Sequence, residues 1–248
     1  MTVKDIYDYL NLIAPFDTAE EWDNCGLAIG SFDKTVKKIY IALDVTNDVL
    51  EDAEFFGADL VITHHPMIFT PVSQILSDGL VYKAVTSGMS FIASHTCLDK
   101  AEGGVNTCLA NKVGVKNLKT SENDGFLKYG ETKPCTVEEF AQIIKSALGG
   151  TVSFTDAGKT IKKVALCSGS GGDLVAEAKN IGADAFLTGE AKHHEYLLSK
   201  DLGVSMFVAG HFETENIVCE YLYNSLSEKF GSEIEIKISD LKNPVNHI

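Results

Sequence analysis

The sequence predicts an α/β protein of two pseudo-repeated lobes, each a mixed sheet flanked by helices. Two patterns lead to this fold class: apolar runs of strand length alternate with helical stretches, and one strand–helix–strand pattern occurs twice. The composition agrees, because 45% of the 248 residues are apolar, which is enough for a buried core and excludes a disordered chain. This length suits one large α/β domain or two small lobes.

The internal repeat is the main guide to the fold. One copy spans residues 38–63 and the other residues 162–188; each has a strand, a helix that ends at glycine, and a strand that opens with Gly-Ala-Asp. A third matching block follows each copy, at residues 88–95 and 203–211. Gly-Ala-Asp before an apolar run is also a common helix-to-strand phrase, but three consecutive matching blocks favour a repeat. Each copy is therefore a predicted βαβ unit with a right-handed crossover.

Composition also locates the expected boundary between the lobes. Residues 117–134 are rich in Lys, Asn, Gly and Glu, and we expect them to join the two lobes. The first lobe is expected at residues 1–124 and the second at residues 125–248. The alternative that the C-terminal segment packs back on the first lobe stays open.

Helix signals are clear at two places. Residues 1–10 carry acids where a signal peptide would have its apolar core, so they are interpreted as the first helix. Thr136 and Glu139 have the spacing of a capping box, which predicts a helix that runs to Leu148 and ends at two glycines.

Charge and cysteine content exclude several classes of function. The formal net charge is −14, from 35 acidic and 21 basic residues, and no basic stripe occurs, which argues against binding to nucleic acid. No apolar run approaches the roughly 20 residues that span a bilayer, so we expect no membrane partner. The six cysteines show no CxxC spacing and no disulfide framework, and a reducing cytoplasm is the expected compartment.

Candidate metal ligands follow the predicted strands, at the ends where loops form. They are His64 and His65 after one strand, Asp99 after the next, and His211 and Glu215 after the last strand of the second repeat copy. Strand ends from distant parts of an α/β chain converge on one edge of the sheet, where sites form. Imidazoles and carboxylates are good ligands for hard or borderline divalent cations.

The adjacent residues His64 and His65 can bind at one site only if the preceding strand has ended before them. Side chains of neighbouring strand residues point to opposite faces, so both rings can serve one small site only beyond the strand. Pro66 lacks an N–H and holds His65 extended, which fits this position. The alternative is a pair of satisfied polar loop residues; a doublet at a strand end with acids elsewhere favours metal.

His211 and Glu215 are four residues apart, so on a helix they share one face. The alternative for Glu215 alone is an acid stabilised by a helix N-terminus. Asp99 is a weak candidate by itself and gains weight as the repeat counterpart of Glu215. Because a carboxylate can bridge two cations, the five ligands suit two ions with open positions better than one closed structural zinc.

Further polar residues are candidates for catalysis. His95, Glu190 and His193 are predicted to move protons or contact substrate, and His194 is a similar case. The alternative for the segment after Gly189 is a polar amphipathic helix that packs through its apolar residues. Asp23 or Asn24 is expected to orient a ligand, with a simple Asx turn as the alternative. The glycine-rich run 168–172 lacks the lysine and spacing of a P-loop and is a weak phosphate signal.

Five ordered sequence blocks resemble a known group across nearly the whole chain. They are Trp22–Leu27, Thr63–Pro66, His95–Asn106, Gly189–Glu195 and Gly210–Glu215. Together they resemble the Nif-three-like proteins, a dinuclear metal centre family often labelled GTP cyclohydrolase I type 2 homologues. The resemblance implies two α/β lobes, two metal ions held by the five ligands above, and a toroidal homohexamer of dimers whose sites face an internal cavity.

The sequence is compatible with two functions from different classes. The first is a metal-dependent hydrolase that acts on a nucleotide or another phosphorylated small molecule, with metal-activated water as the nucleophile. The second is a non-enzymatic metal carrier, sensor or regulatory scaffold ring. The surplus of His and Glu outside the ligand set favours the enzyme. Ligand type leaves zinc, iron and manganese all open as the two divalent ions.

Overall fold

The computed structural model describes residues 1–246, whose secondary structure alternates between helices and strands. The helices are α1 (Val3–Ile13), α2 (Asn47–Phe56), α3 (Leu80–Thr86), α4 (Thr96–Lys100), α5 (Val105–Lys112), α6 (Val137–Leu148), α7 (Val175–Asn180), α8 (His193–Leu202), α9 (His211–Glu215) and α10 (Val218–Phe230). The strands are β1 (Gly26–Ile29), β2 (Lys38–Ala42), β3 (Leu60–Thr63), β4 (Ser90–Ala93), β5 (Lys116–Thr120), β6 (Lys128–Cys135), β7 (Ser153–Phe154), β8 (Ile161–Cys167), β9 (Ala185–Thr188), β10 (Ser205–Val208) and β11 (Glu235–Ile238).

The first compact unit comprises residues 1–104 and 218–242 and is built on a mixed sheet. The strand order is β1-β4-β3-β2-β11; neighbours are parallel except β1, which runs antiparallel to β4. Every residue of the central strand β3 is buried, as expected for a parallel strand covered on both faces. The helix α2 packs on this sheet through Val49, Leu50 and Ala53, which join Tyr40 in the core.

The second unit comprises residues 105–217 and the segment from 243 onwards, and it has its own mixed sheet. The strand order is β5-β6-β8-β9-β10-β7, in which β8, β9 and β10 are parallel and the outer strands are antiparallel. The helix α6 opens with the predicted Thr136–Glu139 capping box and buries Phe140 against Phe207. Two mixed sheets flanked by helices confirm the predicted fold class.

The two units repeat the same contacts in detail. Asp59 accepts hydrogen bonds from two successive backbone N–H groups where β2 begins, at 2.8 and 3.1 Å. Asp184 does the same where β8 begins, at 3.0 and 2.9 Å. Lys34 donates to the carbonyl oxygen of the glycine before β4 at 2.6 Å, and Lys159 donates to that of the glycine before β10 at 2.9 Å. These matched bonds explain why Gly-Ala-Asp recurs in the sequence, because each Asp anchors the start of the neighbouring strand.

The division of the chain differs from the sequence expectation. The units change at Gly104, and the expected boundary after residue 124 lies between β5 and β6, which pair as an antiparallel hairpin within the second unit. The expected joint, residues 117–134, is thus largely sheet. This segment has the polar composition of a linker because β5 is an edge strand whose residues are mostly exposed to solvent. In the first unit, β11 near the C-terminus pairs in parallel with β2.

Two further expectations concern the termini and the cysteines. Helix α1 begins at Val3 behind a capping box of Thr2 and Asp5, in agreement with the interpretation of the first residues as a helix. Each of the six cysteines is a free thiol within the described residues. Across residues 1–246, no helix combines the length and the apolarity that crossing a bilayer requires.

Candidate metal centre

The first unit brings together the candidate ligands His64, His65 and Asp99. Strand β3 ends at Thr63, so both histidines lie beyond it and their rings pack side by side, with centroids 5.0 Å apart. The His64 side chain is fully buried, and its Nε2 lies 3.6 Å from Oδ1 of Asp99, which sits in α4 after the neighbouring strand β4. Convergence of adjacent parallel strands at one sheet edge thus brings the imidazole and the carboxylate together.

Each of these histidines has an oxygen acceptor on Nδ1. His64 Nδ1 donates to the backbone carbonyl of Ser94 at 2.9 Å, and His65 Nδ1 donates to Oδ1 of Asp44 at 2.7 Å. Because a carbonyl or carboxylate oxygen accepts only, the Nδ1 proton is fixed and Nε2 carries the lone pair. Metal-binding histidines in proteins usually have this arrangement, which orients the ring and raises its basicity. The donor set therefore fits a divalent cation.

Asp44 is a candidate site residue that sequence reasoning missed. It follows β2 by two residues and so lies beyond the same sheet edge as His64 and His65. The only sequence signal was its place after an apolar strand run, which many solvated aspartates share. Its partner is 21 residues away in the chain, a separation without periodic signature.

His95 is held by a buried carboxylate. Its Nδ1 lies 3.0 Å from Oδ1 of Asp23, whose side chain is 0% exposed. Burial alone would raise the pKa of Asp23, but hydrogen bonds from His95, Thr96 and Cys25 outweigh it and hold that pKa well below the usual range. Asp23 therefore stays ionised and orients His95.

The rings of His64, His65 and His95 form one cluster. One ring nitrogen from each lies within 4.8 Å of the other two. The ring centroid of His95 is 5.1 Å from that of His64 and 5.4 Å from that of His65. His95 is thus close enough to act beside an ion bound at the first two histidines.

The second unit pairs His211 with Glu215. Both lie on the short helix α9, and the predicted i,i+4 geometry places His211 Nε2 2.9 Å from Oε2 of Glu215. On the other side of the ring, Nδ1 lies 3.4 Å from Oε1 of Glu190. His211 therefore repeats the arrangement of the first unit, with an oxygen opposite Nδ1 and a candidate ligand carboxylate beside Nε2.

The glycine-rich loop 168–172 packs against His211 and Glu215. Gly169 has φ +58°, and a methyl group there would overlap Oε1 of Glu215 and lie 3.3 Å from Nε2 of His211. Its N–H donates to Oγ1 of Thr214, on α9, at 3.1 Å. Only a residue without a side chain leaves room for both candidate ligands at this point.

The same loop borders a cavity of about 510 Å³ in the second unit. Its lining includes Ser170 and Glu190, which are hydrogen bonded to each other, together with Asp173, Lys192 and Glu195. Three acidic side chains and one lysine give the cavity lining a net negative charge, which repels free phosphate and attracts cations. This electrostatic balance argues against the weak phosphate signal of the glycine-rich run.

The remaining catalytic candidates differ in position. Glu190 lines the cavity and faces His211, whereas His193 lies exposed at the first residue of α8. His194 is exposed as well, with Nε2 3.8 Å from the carboxylate of Glu195. The structure therefore places Glu190, but not His193, next to a candidate ligand.

Comparison with known proteins identifies the family. Residues 1–244 match the sequence model of Duf34/NIF3 (NGG1p interacting factor 3). The chain belongs to this family. A Clostridium perfringens member named GTP cyclohydrolase 1 type 2 homolog is 33% identical, with 100% of both chains covered. NIF3-like protein 1 of Drosophila melanogaster is 31% identical over 94% of this chain and 85% of its own length.

The fold agrees with a solved NIF3-family structure. The crystal structure of a Staphylococcus aureus hypothetical protein is similar, with a TM-score of 0.94 and 30% identity over 100% of this chain and 99% of the other. The sequence resemblance is thus confirmed. Within this NIF3-family chain, clusters of His, Asp and Glu side chains are present that could hold a metal ion.

The Asp44 contact leads to a first prediction. Asp44→Ala should weaken zinc binding about 10- to 100-fold, because His65 loses the acceptor that orients its ring. Competition of the metal-free protein with a chromophoric chelator measures this affinity. Asp52→Ala, an exposed change on α2, is the matched control and should leave the affinity unchanged. Equal affinities for the two variants would contradict the orienting role.

A second prediction concerns Gly169. Gly169→Ala should lower the amount of metal bound per chain, because the added methyl group displaces the carboxylate of Glu215. Gly57→Ala is the control: it has the same kind of strained φ, +77°, but open space around the added carbon. Elemental analysis measures the metal content, and urea unfolding measures the stability. Full metal content in Gly169→Ala would show that Gly169 is dispensable for seating the ligands.

Proposed function

We propose that this protein is a metal-dependent hydrolase that acts on a nucleotide or another phosphorylated small molecule. Two divalent ions, zinc, iron or manganese, are assigned to His64, His65, Asp99, His211 and Glu215. The oxygen acceptors on the Nδ1 atoms of the three histidines support this ligand set, as do the names of relatives in the same family. Bound divalent ions would supply Lewis acidity and lower the pKa of a water molecule.

The pair formed by His95 and Asp23 carries the proposal of catalysis. Asp23 accepts from Nδ1 of His95 and remains ionised, so the other ring nitrogen, Nε2, is the base. In this role His95 takes a proton from the attacking water and returns it to the leaving group.

His95 shares the Nδ1–carboxylate contact of His65, and it is assigned to proton transfer instead of metal binding because of the side chains that lie beside it. His64 and His211 each direct Nε2 towards a carboxylate. His95 instead contacts two exposed aromatic rings, those of Trp22 and Phe69. Its position therefore suits contact with a substrate that enters from solvent. Glu190 and His193 are proposed in supporting roles, Glu190 as the partner of His211 and His193 as a substrate contact.

The first substrate to test is GTP, because relatives carry the name GTP cyclohydrolase 1 type 2 homolog. The test set should also include other nucleotides and sugar phosphates. Each should be offered to protein loaded separately with zinc, iron and manganese, with products identified by mass spectrometry. Absence of turnover with every metal would favour the carrier, sensor or scaffold function.

A third prediction separates proton transfer from metal binding. His95→Ala should keep the wild-type metal content and lose about 10²- to 10⁴-fold in kcat, since general acid–base catalysis contributes this much. Asp23→Asn should lower kcat less and shift its pH profile, because the ring keeps its place but loses the charged partner. Elemental analysis and steady-state kinetics measure the two effects. Loss of metal in His95→Ala would make His95 a ligand instead.

We further propose that the chain assembles into a homohexamer of dimers, as the sequence resemblance implies. Support comes from large apolar side chains that are exposed in the first unit between residues 72 and 85, among them Ile75 and Leu76. Such patches commonly mark protein interfaces.

The fourth prediction follows from this assembly. Light scattering after gel filtration should give six times the mass of the chain. Ile75→Glu with Leu76→Glu should reduce that mass, because two charges then enter the apolar surface. A wild-type protein that elutes as a monomer would exclude the hexamer.

A further inference from the structure

Two large aromatic side chains lie exposed against each other in the first unit. Trp22 is 57% exposed and Phe69 is 49% exposed, and their ring centroids are 5.6 Å apart with the planes inclined by 52°. Each ring centroid also lies 6.2 Å from that of His95. An isolated exposed apolar residue needs no explanation, but two aromatic rings gathered around a candidate acid–base histidine call for a ligand.

Hydrogen bonds connect the two segments that carry these rings. Asn24 Nδ2 donates to the backbone carbonyl of Ile68 at 2.6 Å, which ties the turn that carries Trp22 to the loop that carries Phe69. The backbone N–H of Asn24 donates to Oδ1 of Asp23 at 2.7 Å, and the same oxygen holds His95. Because these segments are already connected, binding loses little conformational entropy.

We propose that Trp22 and Phe69 form a stacking platform for a planar heteroaromatic ring, such as a nucleobase, which they hold beside His95. Aromatic side chains stack on bases in a way that tolerates any base, because every base offers a π-face. The platform is small and has the polar residues Asp23 and Asn24 beside it, which suits one flat ring better than a broad apolar partner. This inference rests on the proposed function in one respect, namely that His95 acts on the ligand that the platform holds.

The chain offers a direct probe of the platform. Trp22 is the single tryptophan in the sequence, so intrinsic tryptophan fluorescence reports on this site alone. Guanosine and GTP should each quench it in a saturable manner, whereas ribose 5-phosphate and inorganic triphosphate should not. The titration uses the full-length protein stripped of metal by a chelator, so it requires neither a bound ion nor turnover.

A fifth prediction tests the second ring. Phe69→Ala should weaken guanosine binding roughly 5- to 100-fold, the range expected for loss of one base–aromatic contact. Phe69→Tyr should bind as the wild type does, and Phe69→Leu should resemble Phe69→Ala, because the aromatic face is required and not apolar bulk. Phe55→Ala, which removes a 93% exposed ring on α2, is the matched control and should have no effect. Thermal unfolding verifies that each variant is folded.

The outcomes separate this inference from the proposed hydrolase. Three results would overturn the platform without affecting the proposed metal chemistry. They are guanosine quenching that is unchanged in Phe69→Ala, equal quenching by ribose 5-phosphate, and no quenching by any heteroaromatic compound. If the protein binds guanosine normally but turns over no substrate, the platform is supported and the proposed hydrolase activity is contradicted. Calorimetry with Trp22→Ala gives an independent measurement, with the same loss of affinity expected.

Discussion

The hydrogen bonds from Nδ1 of His64 and His65 to oxygen acceptors are the constraint on which these candidate ligands depend. His64 bonds to a backbone carbonyl and His65 bonds to Asp44, while Nδ1 of His211 faces Glu190 at a longer distance. Each acceptor fixes a ring orientation and a tautomer, and thereby decides that Nε2 is the nitrogen available to a cation.

The internal repeat shows how one scaffold produced two different donor sets. Both units end a central strand at a threonine, but the next two residues are His64 and His65 in the first unit and Gly189 and Glu190 in the second. At Gly189 a side chain would lie 2.6 Å from Thr214 and 2.7 Å from the carbonyl of Gly169. The glycine-rich loop therefore occupies the place of the first histidine, and the second unit takes its imidazole from α9 instead.

Charge is distributed in a way that agrees with a cationic ligand. The chain carries a net charge of −14, and the cavity of the second unit adds three acids to a single lysine. In the first unit the acids act locally: Asp44 and Asp23 each bind one imidazole. This charge favours cations over anions, and the exposed rings of Trp22 and Phe69 add apolar surface beside these acids.

The sequence by itself determined the βαβ repeat, the capped helices and the strand ends, and it placed the candidate ligands after those strand ends, because these features have short-range periodicity or spacing. Tertiary structure alone decided that Asp44 serves His65, that Asp23 serves His95, and that the hairpin of β5 and β6 belongs to the second unit. Those contacts join residues far apart in the chain, and an exposed edge strand has the composition of a linker. Pairing across such distances leaves no local pattern, so only the folded chain reveals it.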